Sequence, residues 1–93
     1  QEKQENKNKA HVMPEVTFAA FIMSLSTSAL YHLGEIADPS SGKTHQDLVL
    51  AKHTIDTLSL LHEKTKGNLN DEEKGLLENI MYDLRMRYVN LER

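Results

Sequence analysis

Cysteine is absent from the 93 residues, which excludes disulfides, thiolate metal sites and cysteine nucleophiles. Tryptophan is absent too, and with two Phe and three Tyr the core must be largely aliphatic. Basic excess is also missing. Eleven Lys and Arg against fourteen Asp and Glu give a formal charge of −3, so nucleic acid is not expected as a partner, because phosphate affinity rests on surplus cationic side chains. Two prolines and four glycines leave long stretches uninterrupted. Even apolar residues run short. Counting Gly and leaving out Tyr they make about 40% of the chain, against roughly 45–50% in an average globular domain. At this length a single domain is expected, since domains usually hold about 100–200 residues.

What is present is unevenly spread. Gln1–Lys9 has no apolar residue, and ordering it would cost roughly 1–2 kcal/mol per residue with nothing buried in return. Residues 1–12 are therefore expected to form a flexible polar tail, and 13–93 a single helical domain. From Val16 to Gly34 the chain carries no formal charge unless His32 is protonated. The length approaches the ~20 residues of a membrane span, but Thr17, Ser24, Ser26, Thr27 and Ser28 interrupt it, so no span is expected. A signal peptide fits poorly, because Glu2 and Glu5 mix the charge before the apolar run and no small-residue cleavage site follows it.

Helical spacing dominates. Phe18, Phe21, Ile22, Leu25, Ala29 and Leu33 recur on one stripe, Thr17 suits an N-cap and Gly34 a left-handed C-terminal residue. Helix one is expected at about 17–33. Pro39 and Gly42 mark a loop over Glu35–Gln46. Asp47 can cap a second helix, about 48–66, with the stripe Leu48, Ala51, Ile55, Leu58, Leu61 and a Lys52–Asp56 pair on its wet side. Asn70 and Glu73 have the spacing of a capping box, opening a third helix over about 71–90. In that helix Leu77, Leu84 and Leu91 repeat every seven residues, too few heptads for a coiled coil, and they fit a face packed on helix one. No segment alternates as a strand does. The expected fold is all-α: a three-helix domain with a long uncharged first helix, self-associating.

Several multi-residue blocks also carry a likeness. Met13-Pro14-Glu15-Val16-Thr17-Phe18, Ser24-Leu25-Ser26-Thr27-Ser28-Ala29-Leu30, His32-Leu33-Gly34-Glu35-Ile36 and Glu63-Lys64-Thr65-Lys66-Gly67-Asn68-Leu69, with Leu84-Arg85 near the end, resemble a family of short bacterial proteins classed only as a domain of unknown function. The resemblance runs from Met13 to the C-terminus. It implies a cytoplasmic bacterial protein with a dispensable tail, and it transfers no catalytic or binding residue.

Four motifs invite chemistry. Ala37–Thr44 satisfies a relaxed phosphate-loop pattern, yet such a loop needs a strand before it and a helix springing from its Lys-Thr end, and here Pro39 removes an amide. A solvated turn is the better reading. His45, His53 and His62 lie eight and nine residues apart, and on one helix His53 and His62 point about 180° apart, so no metal is expected. The Ser24–Ser28 hydroxyls have no evident base and acid set, and mid-helix hydroxyls often bond back to their own carbonyls. No enzyme and no cofactor are therefore expected. The ridge Ala20-Ser24-Ser28 allows close helix approach, either within the chain or to another copy.

The expected function is a non-enzymatic interaction or assembly module, a homo-oligomer or a small subunit of a larger complex. Its interface candidates are Ala20, Met23, Ser24, Ser28, Leu30, Tyr31 and His32. The alternative is a small-molecule or acyl-chain binding module with Met23, Leu30, Tyr31 and His32 lining its pocket.

Overall fold

Three capped helices account for most of the computed structural model, which describes Met13 and residues 15–92; the tail expected over 1–12 lies outside the described residues. They are α1 (Phe18–His32), α2 (Leu48–Lys64) and α3 (Asp71–Glu92). Thr17 Oγ1 accepts from the Ala20 amide at 3.0 Å and starts α1. At the other end the Gly34 amide donates to the Tyr31 carbonyl and the Glu35 amide to the Leu30 carbonyl. That pairing requires a left-handed residue, and Gly34 supplies it with φ +83°. The first helix is thus uncharged but not long. At 15 residues it is the shortest of the three, because the ends of the uncharged run are spent on the cap and the turn.

Asp47 caps α2 by accepting from the Leu50 amide at 3.1 Å. The helix stops at Lys64, two residues earlier than the spacing suggests, where Thr65 turns its hydroxyl onto the Leu61 carbonyl. α3 opens with the capping box: the Glu73 amide donates to Asn70 Oδ1 at 2.8 Å, and Glu73 Oε1 accepts from the Asn70 amide at 3.0 Å.

The helices run up, down and up. α1 and α3 begin side by side, where Thr17 and Ala19 share a cleft with Asn70, Glu72 and Leu76. Their far ends meet through Arg87 and Glu35 at 3.4 Å. α2 runs the other way, with His62 beside Glu78 and Leu48 beside Tyr88. The Asp47 amide donates to the His32 carbonyl at 2.8 Å, which ties the start of α2 to the end of α1.

Each helical arm gives three residues to one core: Ile22, Ala29 and Leu33; Ala51, Ile55 and Leu58; Leu77, Met81 and Leu84. Among the described residues no polar or charged side chain is buried. The heptad ends early, since Leu77 and Leu84 are fully buried while Leu91 is exposed past the end of the bundle. Phe21, assigned to the core stripe by its spacing, is instead 47% exposed.

Candidate interaction face

The functional question turns on what lies outside that core. At about 100° per residue Phe21, Leu25, Ser28 and His32 share one flank of α1, the flank away from Ala19 and α3. On α2, Leu50, Thr54, Thr57 and Leu61 fall within a sector of about 60°. α3 occupies the opposite flank of α2, through Ser59 bound to Arg85 and His62 to Glu78. The two flanks therefore adjoin across the α1–α2 pair. Ser24 and Leu60 extend this face outward, Leu60 being 55% exposed. The face is uncharged across its middle; Asp47 and Lys64 stand at its two ends.

Four hydroxyls on and beside it already donate within their own helices. Ser24 donates to the Phe21 carbonyl at 2.6 Å and Thr27 to the Met23 carbonyl at 3.1 Å. Thr54 and Thr57 donate to the carbonyls of Leu50 and His53 at 3.1 and 2.8 Å. A hydroxyl that loses water without a partner is costly to bury; these four have partners in their own helices. A surface that looks polar by composition is thus cheap to desolvate.

The remaining surface is different in kind. α3 carries nine charged residues among its 22, and the outer side of α2 adds Lys52 and Asp56, paired at 2.8 Å. Hydrogen bonding to Asp56, then its charge, raises the Lys52 pKa above the ordinary lysine value. Tyr82, Met86 and Val89 are exposed on α3 too and share one stripe at i, i+4 and i+7, flanked by Glu78 one turn before Tyr82 and by Arg85 beside Val89.

The structure divides the seven interface candidates. Ser24, Ser28 and His32 fall on or beside the α1–α2 face, and Ala20 and Tyr31 lie half-buried on the outward side. Met23 is exposed on the other flank, and Leu30 packs against the core rather than standing out from it. The exposed Ser24 shows that neither α2 nor α3 covers the middle of the small-residue ridge. Sequence reasoning missed the α2 half. The signal was there in Leu50 and Leu60, two leucines off the core stripe, with threonines at helical spacing between them.

Of the pocket residues, Met23 and Leu30 share one flank of α1, Tyr31 faces outward and His32 lies on the opposite flank. Tyr31 meets the His32 ring edge-on at 5.5 Å and lies 6.3 Å from His45. A cleft of about 350 Å³ at the α2–α3 turn has a mixed lining that includes His62, Lys66, Lys74 and Glu78. Among the described residues no three His, Asp or Glu side chains gather as metal ligands, and no helix is long and apolar enough to cross a membrane.

The phosphate-loop match closes on itself. Asp38 Oδ1 accepts from the Ser40 amide at 2.8 Å and from its hydroxyl at 2.7 Å, and the Gly42 amide donates to the Asp38 carbonyl at 2.7 Å. These amides are occupied, whereas a phosphate loop offers its own to the ligand. The Ser40 hydroxyl, then the Ser40 amide, hold the Asp38 carboxyl below its ordinary pKa.

No curated protein and no solved structure matches the chain. A family model does, over residues 15–90, which takes in all but the last two residues of the three helices. The chain belongs to the family described as Domain of unknown function (DUF1844).

Proposed function

We propose that the protein is an interaction and assembly module that works by binding another polypeptide rather than by chemistry. One observation carries this reading: a face two helices wide, uncharged across its middle, lies exposed, with the Ser24, Thr54 and Thr57 hydroxyls donating within their own helices. Half-exposed Phe21 and Leu50 on an uncharged face are the kind of surface a polypeptide partner covers. Phe21, Leu50 and Leu60 supply the apolar anchors, and the short hydroxyl side chains between them let a partner approach closely.

In-cell photo-crosslinking tests the reading. A photo-reactive residue at Leu60 of the full chain is expected to give covalent adducts with a polypeptide, whereas the same group at Glu72 on α3 gives none. Absence of adducts from Leu60, or equal labelling from both positions, overturns the proposal.

A further inference from the structure

The assembly reading leaves the partner open, and the charge pattern narrows it. Resting on that reading, we infer that the α1–α2 face docks a second copy of this chain about a two-fold axis. In a two-fold interface the same patch meets itself, so every charged side chain near the axis faces its own like charge. The protein has a net charge of −3, and α3 alone holds six acidic and three basic residues. An antiparallel self-contact through α3 sets Asp71 against Glu92 and brings Asp83 close to its own copy, with Glu78 against Arg85 as the one opposite-charge match. The middle of the α1–α2 face brings no such pair together.

The ends of the face supply an attraction. With the two-fold axis running across the helices, α2 lies antiparallel on α2 of the other copy. Asp47 at the start of one helix then approaches Lys64 at the end of the other, and the two helix dipoles also run opposed. Two such contacts form by symmetry. Thr57, the face residue closest to the midpoint of α2, sits at the axis.

The area is sufficient. At 1.5 Å per residue α1 and α2 are about 22–25 Å long, and two packed helices present a width of about 20 Å. That is roughly 500 Å² in projection per copy before side-chain relief is added, hence about 1,000 Å² across both, the least a biological interface is expected to bury. The half-exposed Phe21 and Leu50 would lose their water there, and the back-bonded Ser24, Thr54 and Thr57 would lose little.

Sedimentation velocity on the full chain tests this. A dimer at micromolar concentration is expected, with Leu50→Asp weakening it by about 30-fold or more, the scale of losing an apolar anchor and burying a charge in its place. Circular dichroism of that variant should match the parent, because Leu50 is half exposed in the single chain. Should Leu50→Asp fail to fold, Thr57→Glu offers the same test from the axis. Reversing the charge at one end, Lys64→Glu, should weaken the dimer, and that loss should shrink at high salt. A parent chain that stays monomeric overturns the inference, as does a dimer indifferent to both Leu50→Asp and Thr57→Glu. A monomeric parent whose Leu60 photo-adduct contains a different polypeptide removes the second copy and leaves the assembly reading standing; absence of any adduct removes both.

Discussion

α1 and α3 lie side by side, run in the same direction and bury comparable stripes, yet their outer surfaces have little in common. α3 has acids in its first turn, a capping box and nine charged residues, the composition of a helix that ends at water. α1 has no Asp, Glu, Lys or Arg and turns the Ser24 and Thr27 hydroxyls onto its own carbonyls. The contrast teaches that a buried stripe reports only where the core is. What the rest of a helix meets is written in how its polar groups are satisfied. α3 pairs its charged side chains, as Arg87 does with Asp83 and Glu35, whereas α1 turns Ser24 and Thr27 onto its own backbone.

The largest effects should treat the two helices alike and so mark the limit of the contrast. Ile22→Ala in α1 and Leu84→Ala in α3 both empty fully buried sites. Each should cost about 2–5 kcal/mol in urea unfolding; a much smaller loss from the α1 variant would mean that its stripe is not an equal part of the core. The caps come next. Thr17→Ala and Asn70→Ala each remove a side-chain acceptor from a first turn, and each should cost about 1 kcal/mol by the same assay.

The outer faces should then separate the helices. Ser24→Glu on α1 and Asn79→Glu on α3 alter exposed positions, so both should change unfolding free energy by less than about 0.5 kcal/mol at concentrations where the chain is monomeric. Only Ser24→Glu should lower self-association in sedimentation velocity. The smallest effects belong to exposed polar contacts. Glu78→Gln, which removes the partner of His62 at 3.0 Å, should cost no more than about 1 kcal/mol. At the loop, Ser40→Ala should raise the Asp38 pKa towards the ordinary carboxylate value, followed by NMR titration. The sign follows from the depressed folded value: Asp38 steadies its turn above the unfolded pKa, and that contribution is lost as pH falls through the folded one.

Much of this architecture was legible without coordinates, because capping is local chemistry. Thr17, Asp47 and the Asn70–Glu73 pair announce helix starts from side chains that reach only three residues ahead. Periodicity found Leu58, Leu77 and Leu84 for the same reason. It erred at Phe21 and Leu30, which lie on opposite flanks of α1. Which flank is covered depends on where α2 and α3 stand, and spacing within one helix does not contain that. The candidate face suffered most. Its α1 half was visible as an uncharged run, but Leu50, Thr54, Thr57 and Leu60 join it only because the loop ties Asp47 back to His32 and brings α2 alongside. The contacts His62–Glu78 and Arg87–Glu35 are non-local in the same way.

The absence of cysteine makes one direct experiment clean, since a single introduced thiol has no other to react with. Thr57→Cys places it at the centre of the α1–α2 face, and Asn79→Cys on the outer side of α3. With a short bismaleimide crosslinker at micromolar protein, Thr57→Cys should form a covalent pair of chains while Asn79→Cys stays single. Equal crosslinking at both positions, or crosslinking at Asn79 alone, would contradict the account.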